Sequence, residues 1–228
     1  MKALVVGYGK MGREVEAVLL KRGHGVRGRL TRRDRVEDVD PTGIDVAIEF
    51  TEPEEAYGLV IGLLAKKVPV VSGTTGWDVV KAIRAADALQ VPFLHAPNFS
   101  IGVAAMRRAA TVLGGVLARF REFEPALVER HHSAKKDAPS GTAKALAAAV
   151  EVGRHGMPPV PIVSLRHGGQ PGEHVLVFEG PDEAVELVHR ARSRGIFAAG
   201  AVQAAEWLVA SGATGSVTFD DFFDRRVR

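Results

Sequence analysis

The 228-residue chain sets 30 Lys and Arg against 27 Asp and Glu, a formal net charge of +3, with 46% hydrophobic and 25% charged residues. These are the proportions of a globular protein with room for one large domain or two modest ones, and its basic residues are dispersed among acids rather than gathered in a run, which argues against a nucleic-acid partner. It has no cysteine, excluding disulfides, thiolate catalysis and cysteine-ligated metals, and no stretch resembles a signal-peptide core or a membrane span, so a cytoplasmic protein with no membrane partner is expected.

Ala3-Leu4-Val5-Val6 reads as a buried parallel strand. Gly7-Tyr8-Gly9-Lys10-Met11-Gly12 follows at once, then an amphipathic segment to about residue 22. In a strand, G-x-G-x-x-G, helix arrangement the glycines permit a tight turn, close approach of a pyrophosphate and close helix packing. A phosphate-binding P-loop shares the spacing of Gly7 and Gly12, but Arg13 and Glu14 stand where it needs Lys and Ser or Thr. Dinucleotide binding is therefore the favoured reading. An NADH site would place an acid at the end of the second strand, 25–30, to hold the adenosine ribose hydroxyls. The sequence gives Thr31-Arg32-Arg33 instead, and guanidinium groups suit a 2′-phosphate, so NADPH is expected in preference to NADH.

The alternation continues with strands at 44–50, 68–72 and 91–95 and helices at 53–66 and 77–89, the pattern of a parallel sheet with helices on both faces. Ligands of such sheets bind at the carboxyl ends of the strands. Those ends carry Phe50-Thr51, Gly73-Thr74-Thr75-Gly76 and Ala96-Pro97-Asn98-Phe99. After a helix at 103–117 the chain changes character, with extended runs at 121–130, 160–166, 174–179 and 184–190 and one clear helix at 142–152. This reads as a second, α+β domain, from which a helix at 195–211 and the tail return to the first.

The densest chemistry lies at 129–142, E-R-H-H-S-A-K-K-D-A-P-S-G-T. The strand before it alternates, with Phe123, Ala126 and Val128 read as its apolar residues and Glu122, Glu124 and Glu129 as its charged ones. His131 and His132 fall where the strand stops, and histidine is the side chain most easily tuned to exchange a proton near neutrality. Ser140 suits an N-cap, and Ser140, Gly141 and Thr142 at a helix N-terminus offer backbone N–H groups to a carboxylate or phosphate. Lys135 and Lys136 add full charges. No metal is expected: adjacent histidines at a strand end point to opposite faces, and no carboxylate stands at a recognisable ligand spacing. An amino-acid dehydrogenase acting on another imine or aldehyde would share the first-domain features, and only the 129–142 block separates it; a non-catalytic NADPH-sensing or nucleic-acid-binding protein using the basic surface is the alternative from another class.

G-Y-G-K-M-G-R, E-F-T-E-P-E, S-G-T-T-G, A-P-N-F-S-I-G-V, E-R-H-H-S-A-K-K-D-A-P-S-G-T-A and S-R-G-I-F-A-A-G-A together resemble the dihydrodipicolinate reductase family, the 4-hydroxy-tetrahydrodipicolinate reductases of diaminopimelate and lysine biosynthesis. The resemblance implies a Rossmann-type parallel-sheet domain, 1–99 with 195–228, and an α+β domain, 100–194, that binds substrate and builds a homotetramer. It implies NADPH- or NADH-dependent reduction of a cyclic imine dicarboxylate. His131 would be the proton donor or acceptor and Lys135 the catalytic lysine, with His132, Ser140, Gly141 and Thr142 binding substrate. Gly7, Tyr8, Gly9, Lys10, Met11, Gly12, Gly73, Thr74, Thr75, Ala96, Pro97, Asn98, Phe99 and Arg194 would bind or lie near the cofactor, beside Thr31, Arg32, Arg33 and Phe50.

Overall fold

The structure, a computed structural model, describes residues 1–154 and 157–227. Contacts divide the chain into two compact units, Met1–Ser100 with Arg194–Arg228 and Ile101–Ser193.

The first unit is built on six parallel strands, β1 (Lys2–Val6), β2 (Gly25–Leu30), β3 (Val46–Glu49), β4 (Val70–Ser72), β5 (Phe93–His95) and β10 (Ser216–Thr218), in the order β10-β5-β4-β3-β1-β2. Strands β1, β3 and β4 are apolar nearly throughout because helices cover both faces. Leu4, Val6, Ala47 and Val70 pack with Val60, Leu63 and Leu64 of α2 (Pro53–Ala65) and Ala82 and Ala86 of α3 (Val79–Leu89). On the other face lie α1 (Lys10–Lys21) and α6 (Gly195–Ala210), which pack on each other. Arg22 and His24, following α1, meet Glu206 of α6 at 2.7 Å each. The tail adds a helix that the sequence reading did not anticipate, α7 (Phe219–Arg226), started by a reciprocal Thr218 and Asp221 capping box and anchored by buried Phe219 and Phe222.

The second unit holds a four-stranded sheet in the order β7-β6-β8-β9, from β6 (Glu124–His131), β7 (Ile162–Arg166), β8 (Gly172–Glu179) and β9 (Ala184–Ala191). β7 runs parallel to β6, whereas β8 and β9 form an antiparallel hairpin beside it. Helices α4 (Ile101–Leu117) and α5 (Gly141–Glu151) pack closely, at a point where a side chain on Gly114 would come within 2.5 Å of the Val150 carbonyl oxygen. Leu127 pairs with Ile162 and Leu176, Leu176 pairs with Leu187, and all four join Leu146 and Val150 in the core.

This register corrects the alternation read from sequence. The buried face of β6 carries Leu127, Glu129 and His131, while Ala126 and Val128 lie on the other side. Glu129, one of the charged positions of that alternation, is fully buried because hydrogen bonds from neighbouring elements meet its carboxylate, which is seldom buried unpaired. Among the described residues no helix is long and apolar enough to cross a membrane.

In α6, Gly200 lies against the chain end that follows β5: a β-carbon there would stand 1.7 Å from the Phe99 carbonyl oxygen. Gly200→Ala is expected to destabilise the protein by about 1–3 kcal/mol through overpacking, read as a lowered midpoint in urea unfolding; an unchanged midpoint would contradict this packing.

Candidate active site

In the second unit the core changes character one layer beyond Leu127. Glu129 pairs across the sheet with Ser164 and His174, and His174 with His189; the next layer sets His131 beside Arg166. Polar side chains thus replace aliphatic ones over the last turn of the sheet's pleat, and the loop from β6 to α5 closes over them. Glu129 has no exposed surface. Its Oε1 accepts hydrogen bonds from Ser164 Oγ at 2.7 Å, Arg166 Nη2 at 2.6 Å and the Ser140 backbone N–H at 3.0 Å. Burial opposes its ionisation, but these donors together outweigh burial and hold the carboxyl at about 2. Its Oε2 lies 2.7 Å from His131 Nδ1. Neither atom has an aligned hydrogen-bond partner, so the contact is a close charge approach rather than a collinear bond. Burial first, and then the charges of Lys135 and Arg166, lower the pKa of His131 against the opposing pull of Glu129.

Ser140 is the N-cap of α5: its Oγ accepts the Ala143 N–H at 3.1 Å and lies 3.3 Å from His174 Nε2. No atom comes within 4 Å of where a β-carbon of Gly141 would stand, so a ligand can reach that backbone closely. Thr142 follows in the same first turn. Lys135 is half-buried and ion-paired with Asp137 at 2.6 Å, whereas Lys136 is exposed, which separates the two adjacent lysines. His132 is also half-buried, just beyond the strand end.

Glu129, His131 and His174 bring potential ligand atoms within 4.8 Å of one another. The sequence reading missed this cluster because the carboxylate stands two residues before the first histidine, on the same face of the strand, and His174 arrives from another strand. The Arg166 guanidinium already occupies the carboxylate, and a fixed cation there opposes a second one.

In the first unit a cleft of about 970 Å³ opens at the carboxyl ends of β1, β2, β3 and β4, where the strand order reverses around β1. Gly7, Tyr8, Gly9, Lys10, Met11, Thr31, Arg32, Phe50, Gly73, Thr74 and Thr75 line it. Gly12 underlies the loop, where a β-carbon would stand 2.0 Å from the Gly7 carbonyl oxygen. Gly7 has φ +83° and would clash with the Phe50 carbonyl at 2.1 Å if it bore a side chain. The N-cap of α1, Gly9, makes no side-chain cap, so the first-turn N–H groups of α1 face the loop as an anion site. This cradle fits a dinucleotide pyrophosphate.

Arg33 and the 96–99 segment do not line this cleft. Ala96 and Phe99 are buried, Phe99 packing edge-on against Phe50 at 5.9 Å, and Asn98 Oδ1 accepts the Ser100 N–H. Arg194 is the N-cap of α6.

Two features of the cleft were not read from sequence. Asp34, three residues past Thr31, lines the cleft with Arg32 and accepts hydrogen bonds from the Thr31 N–H and hydroxyl at 2.8 and 2.6 Å. Glu49, the fully buried last residue of β3, accepts hydrogen bonds from the hydroxyls of Ser72, Thr74 and Thr51 at 2.6, 2.5 and 2.5 Å. It thereby holds the Thr51 and Thr74 walls of the cleft together.

A dinucleotide cradle in one unit, and a cation-flanked helix end beside a buried imidazole in the other, are the equipment of a nicotinamide-dependent reductase. Comparison with known proteins narrows the class. Residues 1–99 match the family described as "Dihydrodipicolinate reductase, N-terminus" and residues 100–223 the family described as "Dihydrodipicolinate reductase, C-terminus". The chain belongs to the dihydrodipicolinate reductase family and is an NAD(P)H-dependent oxidoreductase. It is 39% identical to a 4-hydroxy-tetrahydrodipicolinate reductase of Natronomonas pharaonis over 97% of this chain and 99% of that one. It is 33% identical to the Christiangramia forsetii enzyme of that name, over 91% and 92%. Its fold is shared with a dipicolinate-bound dihydrodipicolinate reductase from Paenisporosarcina, with a TM-score of 0.77, 21% identity and coverage of 96% and 97%.

The buried polar layer makes stability depend on pH. Burial, and secondarily the charge of His131, depress His174 from the usual 6.5 to about 4, so its contribution is complete above 6.5 and is lost as pH falls towards 4. Glu129, held at about 2 against the usual 4.5, adds a second loss below about 4.5. The melting temperature is expected to fall in both windows; a constant value from pH 7 to 4 would contradict the assignment of His174 as buried and neutral.

Proposed function

We propose that the protein reduces 4-hydroxy-tetrahydrodipicolinate, a cyclic imine dicarboxylate, to tetrahydrodipicolinate with loss of water, in the diaminopimelate and lysine pathway of the cytoplasm. The observation that carries this is the joining, through one buried carboxylate, of an anion seat at Ser140 to the imidazole of His131. The dipicolinate named with the Paenisporosarcina structure supports a cyclic dicarboxylate as the ligand class.

Ser140, Gly141 and Thr142 seat one substrate carboxylate on the partial positive charge of α5. Lys135 and His132 stand on the loop that approaches the same seat. Hydride addition to the conjugated ring leaves negative charge that a nearby acid must neutralise, and His131, with Lys135, is assigned that task. NADPH, when bound, supplies the hydride. Gly7, Gly9, Lys10 and Gly12 would hold its pyrophosphate, and Phe50, Gly73, Thr74 and Thr75 the nicotinamide end. Ala96, Pro97, Asn98, Phe99 and Arg194 are assigned supporting roles in that unit.

Arg32, with its side chain 80% exposed on the cleft, suits the 2′-phosphate. Asp34 beside it suits ribose hydroxyls. The pairing supports use of both cofactors, with NADPH preferred.

The outer face of the second sheet supports assembly as a homotetramer. Val163, Leu165 and Val188 are 53%, 39% and 40% exposed there, with Val128 and Val175 on the same face. Val163→Glu is expected to reduce the solution mass measured by light scattering; an unchanged tetramer, or a monomeric wild type, would contradict that interface.

Turnover is tested by following nicotinamide oxidation with substrate generated from pyruvate and aspartate semialdehyde. His131→Gln and Lys135→Ala are each expected to lower kcat by about 10²–10⁴-fold, and near wild-type turnover in both would reject the assignment. Arg32→Ala is expected to raise KM for NADPH about 10-fold or more while leaving NADH nearly unaffected. Equal loss with both cofactors would remove the 2′-phosphate role.

A further inference from the structure

The structure assigns Glu129 the role of positioning residue for this reaction: its carboxylate locks the His131 imidazole and couples that ring to the substrate-carboxylate seat at Ser140. The inference rests on the proposed role of His131 and goes beyond it, because Glu129 touches neither substrate nor cofactor in that reading.

A buried carboxylate that served only to support the fold would have both oxygens filled by structural donors. Glu129 instead divides its labour. Oε1 takes the structural donors, from Ser164, Arg166 and the backbone of Ser140, at 2.6–3.0 Å. Oε2 takes none of them and stands 2.7 Å from His131 Nδ1. The two groups are the last buried positions of one strand, two residues apart, so their separation is fixed by the pleat rather than by flexible loops. The imprecise alignment is that expected before ligand binds, since catalytic hydrogen bonds commonly tighten in the substrate complex.

Behind Nε2 of His131 the wall is Gly172, where a β-carbon would stand 3.0 Å away. The ring is therefore confined on that side as well. Nδ1 is the nitrogen beside Glu129, so once the contact aligns in the substrate complex Nε2 is the nitrogen left to carry the exchangeable proton, the logic by which a buried acid fixes a catalytic imidazole. Ser140 connects the two ends: its N–H donates to Glu129 while its residue caps the helix that receives the substrate carboxylate. Loading that seat and orienting the imidazole are then one event.

The charged and titratable groups facing His131 are Glu129 on its own strand, Arg166 from β7, His174 from β8 with His189 behind it, and Lys135 and Asp137 from the following loop. Of these Glu129 is the group that favours the imidazolium most strongly, while Lys135 and Arg166 oppose it. Removing the carboxylate charge should lower the pKa of His131, and the activity limb that reports loss of the imidazolium should move to lower pH.

The test compares Glu129→Gln, Glu129→Asp and His131→Gln as full-length enzymes, with circular dichroism and NADPH binding as checks of folding. E129Q is expected to lower kcat at least about 10-fold with a smaller change in substrate KM, and to move the basic limb of the kcat profile down by about one pH unit or more. E129D, which keeps the charge, should restore the limb while remaining slower than wild type. A wild-type profile and turnover in E129Q, with H131Q inactive, would overturn the role of Glu129 and leave that of His131 standing. An active H131Q would instead overturn the reading of His131 itself.

Should E129Q fail to fold, nitrogen-15 spectra of histidine-labelled wild type decide the matter. The signal missing from H131Q is expected to be the Nδ1–H tautomer at neutral pH, and an Nε2–H tautomer would overturn the inference. Activity abolished by EDTA and restored by zinc would also overturn it, making Glu129 a metal ligand.

Discussion

A carboxylate with no exposed surface carries a desolvation penalty of several kcal/mol unless donors meet its oxygens, and the second unit is arranged to meet those of Glu129. Ser164 and Arg166 come from the parallel neighbour β7, Ser140 from the cap of α5, and His131 from two residues along the same strand. These groups come from three pieces of the site: β7, the start of α5 and β6 itself. The strand register, the loop closure and the helix start are therefore all referred to one anion, and the anion is available only because Arg166 and the hydroxyls keep it ionised. Breaking such a pair leaves an uncompensated buried charge, which is why partial removal should be felt more strongly than its individual contacts suggest.

The first unit uses a similar device for a different end. Glu49 terminates β3 with no exposed surface and gathers Thr51 from just past its own strand and Ser72 and Thr74 from the end of β4. Here the carboxylate shapes a cleft rather than an imidazole. In both units the acid ends, or nearly ends, a buried strand on which aliphatic packing gives way to a binding surface. A small hydrogen-bonded polar layer at the strand ends holds groups in place where hydrophobic side chains could not offer hydrogen bonds to a ligand.

Much of this was legible in the sequence, and the residues show why. The glycine loop and continuous apolar strands declare themselves because steric necessity is local: Gly7 and Gly12 admit no side chain whatever the rest of the fold does. The N-cap at Ser140 and the helix after it are likewise short-range facts. What escaped was every feature assembled from distant strands. Alternation alone cannot say which face of β6 is buried: Glu129 reads only as a charged position of the strand, and Val128 is equally eligible for the core. His174, His189 and Arg166 lay 35 or more residues beyond Glu129 with no motif to attach them, although an acid, a serine and an arginine at alternate positions of two predicted strands were the available signal. Asp34 escaped because an acid was sought at the strand end, and the turn made by Thr31 brought one in from three residues later.

The central claim is that ligand binding and protonation at this site are coupled. Burial, together with Lys135 and Arg166, lowers the pKa of His131 in the free protein, whereas a dianion in the seat at Ser140 would favour the imidazolium. Calorimetric titration of the NADPH-loaded protein with pyridine-2,6-dicarboxylate near pH 7.5, in buffers of differing ionisation enthalpy, measures the protons exchanged. The account predicts net proton uptake, lost in H131Q. Binding with no proton uptake in the wild type would contradict it.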